Sequence, residues 1–192
     1  SISGASGLSI PNATITGTYT NTGTLTVATA LSGAGGLTQG SGTVLNIGGT
    51  STITTLTATV NPNTVNYTST TAAQTVKATT YHHLTINKSG QIATLGAATT
   101  VNGDLTITAG TLNLSTFTAD RATSGGTLTV SSGATLSIGG TNTIPANYAT
   151  HSIGATSTIN YSGASQAVGT LNSAQSYGNL TLSGSGTKTF PS

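Results

Sequence analysis

Apolar side chains in this chain recur at every second position, in short runs separated by Gly, Asn, Ser or Pro. Val44-Leu-Asn-Ile, Leu84-Thr-Ile, Leu105-Thr-Ile, Leu128-Thr-Val, Leu136-Ser-Ile and Leu180-Thr-Leu all alternate in this way. A period of two places one set of side chains on one face of an extended strand, so each run reads as a strand with one buried face. The pattern predicts strands over 14–19, 24–27, 44–47, 53–56, 65–67, 84–86, 105–107, 112–114, 128–130, 136–138, 159–161 and 180–182. No stretch carries apolar residues at i, i+3, i+4 and i+7 for three turns, and Glu is absent. The chain therefore reads as all-β. Pro11, Pro62, Pro145 and Pro191 read as turn residues between strands.

A longer period lies above the short one. The stretch 65–86, V-N-Y-T-S-T-T-A-A-Q-T-V-K-A-T-T-Y-H-H-L-T-I, returns at 159–182 as I-N-Y-S-G-A-S-Q-A-V-G-T-L-N-S-A-Q-S-Y-G-N-L-T-L. Tyr67, Gln74, Tyr81 and Leu84 correspond to Tyr161, Gln166, Tyr177 and Leu180, in the same order but at different spacings. Residues 42–49 match 133–140 as well, so residues 1–192 read as one continuous array of about two permuted repeats, approximately 1–90 and 91–192. Self-similarity on this scale marks stacked or arrayed architectures. The eight paired residues read as register or packing positions.

Strands this short, two or three to each twenty-odd residues, suit a parallel β-helix, a β-solenoid whose coils stack along one axis. Leu25 to Leu45, Leu84 to Leu105 and Leu105 to Leu128 are spaced as one coil each. The expectation is roughly nine coils and a rod on the order of 45 Å long at the usual strand spacing. The alternative is two tandem β-sandwich domains; the scarcity of aromatics, 4%, and the short strands weigh against it.

The runs N-Y-x-x-x-x-A-x-Q-x-V from Asn66, Y-x-x-L-T-I/L from Tyr81 and Tyr177, V-N-G-D-L-T-I-T-A-G-T-L-N-L from Val101 and S-G-x-G-T-K-T-F from Ser183 carry a resemblance. They resemble the repeat modules of very long secreted bacterial surface proteins of the adhesin type. The resemblance covers most of the chain from about Val44 to Phe190. It implies parallel β-helical modules with a structural or adhesive role, and it brings no catalytic residues with it.

Composition narrows the chemistry. Ser and Thr supply 68 of 192 residues, and charged residues are only 3%. Disorder usually goes with high net charge and few β-branched apolar residues, whereas here they recur throughout. Without Cys, thiolate, disulfide and Cys-type metal chemistry are excluded. The net charge of +2 comes from Lys77, Lys88, Lys188 and Arg121 against Asp104 and Asp120, too scattered for a nucleic-acid surface. No apolar run is long enough for a membrane-spanning helix. Residues 1–6 do not read as a secretion signal.

Asp104 and Asp120 are the only carboxylate side chains, which leaves a two-carboxylate glycosidase with one possible pair. The plainer reading puts Asp104 in a turn and pairs Asp120 with Arg121. His82 and His83, adjacent on a strand, should point to opposite faces, and His151 is remote, so no metal site is expected. Neither calcium nor any cofactor is expected. Residues 14–26 alternate Thr, an arrangement able to order water as ice-binding solenoids do, though also the default for an exposed strand. The repeated tyrosines offer a faint hint of glycan binding.

The sequence thus points to a non-enzymatic extracellular protein, a subunit or repeat segment of a cell-surface filament or adhesin stalk. Its expected partners are copies of itself stacked head-to-tail, or flanking repeats of a longer chain, with surface glycans as a further class. The candidate assembly ends are Ile2, Leu8 and Ile10 at one terminus and Phe190 and Pro191 at the other. A glycan- or ice-binding solenoid is the alternative, and a polysaccharide-active enzyme a more remote one.

Overall fold

The computed structural model describes residues 1–2 and 7–191. Each alternating run forms a short strand, and each strand pairs in parallel with the run about one coil before and after it in sequence. The result is an all-β stacked β-solenoid of about nine turns, with no helix among the described residues. All the ladders are parallel, whereas β-sandwiches pair antiparallel, so the tandem-sandwich alternative does not hold.

Every coil contributes to up to three strand columns. The first column contains Thr43–Ile47, Asn63–Tyr67, Gly125–Val130 and Tyr148–Ile153, and the second contains Gln74–Val76, Thr135–Ile138, Thr158–Tyr161 and Asn179–Leu182. Four longer strands, Leu8–Thr14, Thr24–Ser32, His83–Leu95 and Leu105–Asn113, bend at a corner and serve both columns. The third column holds Thr18–Asn21, Gly36–Gln39, Thr55–Thr57, Thr80–Tyr81, Thr100–Val101, Gln166–Ala167 and Lys188–Thr189.

The inward ladder of the first column runs Leu25, Leu45, Val65, Leu84, Leu105, Leu128 and His151, each directly over the last. The three spacings expected to be single coils are therefore single coils. Leu45, Val65, Leu84, Leu105 and Leu128 are wholly buried, while the alternate residues Asn46, Asn66, Thr85, Thr106 and Thr129 line the outside. On that outer row Asn66 Nδ2 donates to Asn46 Oδ1 at 2.7 Å and Asn46 Nδ2 to Thr26 Oγ1 at 3.0 Å.

Three local expectations need correction. Pro11 lies inside strand Leu8–Thr14, at the irregularity between Ile10 and Asn12, where the bend frees it from donating to the ladder. Residues 14–19 are not one strand: Leu8–Thr14 ends there, the chain turns, and Thr18–Asn21 begins the third column. The alternating threonines at 14–26 are therefore divided among three strands and present no single flat array.

The inward ladder makes a direct prediction. Leu105→Ala should lower unfolding free energy by about 2–5 kcal/mol, because the stacked coils above and below cannot close the void. Thr106→Ala, one position along and facing outward, should stay within about 0.5 kcal/mol of the parent. Urea denaturation of the two variants checks the assignment of faces.

Candidate functional site

Tyr67 and Tyr81 occupy core positions on the first and third columns, and both are fully buried. A buried phenol needs a partner for its hydroxyl. Tyr81 Oη donates to the Lys77 carbonyl at 2.7 Å, and the Lys77 N–H donates to Tyr67 Oη at 2.8 Å. The two hydroxyls lie 3.1 Å apart, and with Tyr81 already donating, Tyr67 is the donor between them. This closed loop satisfies both main-chain groups of one corner residue inside the core. The second copy repeats it around Gly169: Gly169 N–H donates to Tyr161 Oη at 2.8 Å, the hydroxyls are 3.2 Å apart, and Tyr177 Oη donates to the Gly169 carbonyl. Burial raises the pKa of Tyr67, Tyr81 and Tyr177, so these groups stay neutral and are not bases.

Beside each tyrosine pair sits a glutamine whose side-chain amide bridges main-chain groups at a corner. Gln74 Nε2 donates to the carbonyls of Ile47, at 2.8 Å, and Gly49, while its Oε1 accepts the Ser69 N–H at 3.1 Å. Gln166 does the same, with Nε2 on the carbonyls of Ile138 at 3.0 Å and Asn142 at 2.9 Å and Oε1 accepting from Gly163 N–H at 2.8 Å.

A lysine ammonium completes each cluster. Lys88, wholly buried, donates from Nζ to the carbonyls of Ser69 at 3.0 Å and Ala72 at 2.9 Å and to Gln74 Oε1 at 2.7 Å. Its three protons thus have three acceptors. Lys188 donates to the Gly163 carbonyl at 2.8 Å, the Ala164 carbonyl and Gln166 Oε1 at 3.0 Å. The two lysines reach the same kind of cage from different places. Lys188 pairs with Gln166 in the ladder, whereas Ala93 pairs with Gln74 and Lys88 comes in from the corner. At that corner six residue steps separate Ile86 from Ile92 where four separate their partners Ile107 and Thr111, and the extra chain carries Lys88 inward. Gly110, at φ 75°, covers this bulge, and a Cβ there would overlap the Lys88 carbonyl.

The two clusters stand on different faces. Tyr67, Gln74 and Tyr81 belong to the first, second and third columns; Tyr161, Gln166 and Tyr177 follow one face later, with Tyr161 on the second column and Gln166 on the third. Leu84 is likewise on the first column and Leu180 on the second.

Titratable groups gather in one further place. His83 Nδ1 accepts the Asp104 N–H at 2.9 Å and lies 3.3 Å from Asp104 Oδ2, while Asp104 Oδ1 accepts the Thr127 N–H at 2.8 Å. Two expectations fail here. The rings of His82 and His83 do not diverge but meet edge to face with centroids 4.3 Å apart, since His82 sits in a bend before the strand. Asp120 does not pair with Arg121: its Oδ1 accepts the Ala146 N–H at 2.8 Å, and Arg121 turns to the carbonyls of Gly103 and Thr123. Both carboxylates thus accept main-chain N–H groups of the following coil. Among the described residues no three His, Asp or Glu side chains converge as a metal site.

The burial of Tyr67, Tyr81 and Tyr161 removes the surface aromatic row on which a glycan reading would rest. Neither lysine role was visible in the sequence, because nothing in Asn-Lys-Ser marks a bulge that turns a charge inward. In comparisons with protein-family models, curated proteins and solved structures, the chain matches none.

Two outcomes test the clusters. Gln74→Leu removes the acceptor of the Ser69 N–H, the side-chain donor to the Ile47 and Gly49 carbonyls and the shortest acceptor of the Lys88 ammonium, and should cost about 3–5 kcal/mol in a denaturant titration. Gln166→Leu should cost less, because water can reach half-exposed Lys188. Burial also lowers the Lys88 pKa from 10.5 to about 8. The unfolded chain therefore binds more protons between those values, and stability should climb as pH rises through that window. Lys88→Met should flatten the climb.

Proposed function

We propose that this protein is a structural β-solenoid that extends a rod axially, as a subunit or segment of an extracellular filament or adhesin stalk. The observation that carries this reading is the condition of its two ends. Inward positions that are sealed within the stack lie uncovered there: Leu8 is 39% exposed where its ladder partner Leu25 is 1% exposed, and Leu182 is 43% exposed where its partner Tyr161 is wholly buried. Phe190, just past the third-column strand Lys188–Thr189, is 55% exposed. Among the described residues both ends also present strands with a ladder partner on one side only, the arrangement that templates addition of a further strand.

The polarity suits head-to-tail addition. Strand Leu8–Thr14 serves both the first and second columns, and at the other end Asn179–Leu182 and Lys188–Thr189 close the second and third. A coil of the same kind added at either end continues the parallel ladder, and a contact between unlike ends builds an open filament. A second copy of this chain would supply such a coil, as would flanking repeats of a longer one. Pro191 and Ile2 flank the two edges, Ile2 bridging to Asn21. The surface favours an extracellular setting: hydroxyl groups rather than charges keep the rod hydrated.

Electron microscopy across a concentration series checks the proposal. The expected result is filaments with an axial repeat on the order of 45 Å, nine coils at the usual strand spacing. Leu182→Lys combined with Phe190→Lys should abolish them while leaving the circular dichroism unchanged. Single rods at every concentration, for the parent chain, would overturn self-stacking.

A further inference from the structure

In the last coil the first column is not a strand. Residues 172–175 form a tight turn closed by the Gln175 N–H on the Asn172 carbonyl at 3.4 Å, with Ser173 and Ala174 at φ 61° and 52°. Two consecutive non-glycine residues in the left-handed region are strained, so the turn depends on outside contacts to persist. Side chains supply them where a ladder would otherwise run. The Asn172 N–H donates to His151 Nδ1 at 2.8 Å, Asn172 Nδ2 donates to the Tyr148 carbonyl at 2.6 Å, and Gln175 Oε1 accepts the Ile153 N–H at 3.0 Å.

His151 occupies the top of the inward ladder over Leu128 and is 3% exposed. With Nδ1 accepting, its single proton is on Nε2 and the ring is neutral. Protonation puts a second N–H on Nδ1, facing the Asn172 N–H, and the bond becomes a clash of two donors. His83 offers the contrast. It too accepts a main-chain N–H from the next coil, from Asp104, but it has the Asp104 carboxylate 3.3 Å away as an anionic neighbour.

Among the described residues no such anion serves His151. On its own strand the other titratable side chain is Tyr148; strand Gly125–Val130 beneath carries none; the segment above brings Tyr177. Burial raises the pKa of both tyrosines, so both stay uncharged. Arg121, 6.0 Å over the Tyr148 ring, and Asp120 and Asp104 act on that tyrosine, whereas burial alone lowers His151.

We propose that His151 is an acid-sensitive latch: neutral, it holds the 172–175 turn down on strand Tyr148–Ile153, and protonated, it releases that turn. The turn leads directly into Ser176 and Tyr177, which with Val168, Leu171 and Phe190 wall an open groove of about 360 Å³ at the end of the rod. Release therefore deforms the C-terminal edge and weakens addition of a further coil. That second step rests on the axial-stacking reading; the latch itself does not.

Hydrogen exchange read by mass spectrometry on dilute, single rods tests the latch. After correction for intrinsic rates, protection of residues 169–178 should fall as pH is lowered below the ordinary histidine range, by up to about tenfold per pH unit for one linked proton. Protection of residues 83–95 should hold. His151→Asn keeps an acceptor for the Asn172 N–H but cannot titrate, and should be protected equally at neutral and acid pH. His83→Asn should retain the parent's acid response. Should His151→Asn fold poorly, nitrogen NMR of the parent decides: Nδ1 unprotonated at neutral pH, with the Asn172 amide shifting at the same midpoint as the ring. Unchanged protection of 169–178 in acid, or an Asn172 amide indifferent to the ring, overturns the latch. Filaments that survive acid while the turn is released overturn only its link to stacking.

Discussion

In a solenoid the main-chain hydrogen bonds of a strand run to the coils before and after it, never within its own coil. Each coil is therefore incomplete alone, and every departure from the ladder leaves buried N–H and C=O groups that something else must satisfy. That requirement explains the placement of the polar side chains of the two clusters and of both aspartates. Gln74 and Gln166 each bridge two carbonyls and an N–H at a corner, the tyrosine pairs close around the peptide groups of Lys77 and Gly169, and Asp104 and Asp120 each accept an N–H from the next coil. The few charged residues are part of the same accounting. Lys88 and Lys188 are spent on carbonyl cages and Arg121 on two carbonyls.

How much of this was legible follows from the range of the signal. Inward and outward positions are set by alternation alone, and so the steps from Leu25 to Leu45, Leu84 to Leu105 and Leu105 to Leu128 could each be read as one coil from their spacing. The corners are another matter. They are made of two to six small residues whose conformation depends on the coil beneath, so Pro11 at a bend inside a strand, the edge-to-face contact of His82 with His83, and the inward turn of Lys88 had no local mark. The pairing of Asp120 with its neighbour Arg121 failed for a related reason. Adjacency along the chain weighs little where the nearest unpaired donor is a main-chain N–H of the next coil.

The duplicated cluster separates two properties that a repeat usually keeps together. Its residues recur with their contacts intact, yet Tyr161 stands on the second column where Tyr67 stands on the first. The contacts explain why this is tolerated. Each cluster needs carbonyls from the coil before it, such as Ile47 and Gly49 or Ile138 and Asn142, and an ammonium from the coil after it. Any corner of a parallel stack supplies such carbonyls. The cluster can therefore move by one face without a change of chemistry, and the ammonium can arrive through Lys88 at a bulge or through Lys188 in the ladder.

The same physics makes the ends unlike the middle. Within the stack a polar corner group is sealed between two coils, and its alternatives are costly. At the C-terminal coil the seal exists on one side only, so His151 and Gln175 hold a strained turn with bonds that water or a proton can replace. Local stability in a linear array falls toward its termini because each terminal coil has one neighbour instead of two. A coil added beyond Asn179–Leu182 would supply the missing neighbour, cover Leu182 and Phe190, and bury the His151 contact more deeply. On the axial-stacking proposal, growth and the closed state of the turn would favour each other, because both would be stabilised by removing the same edge from water.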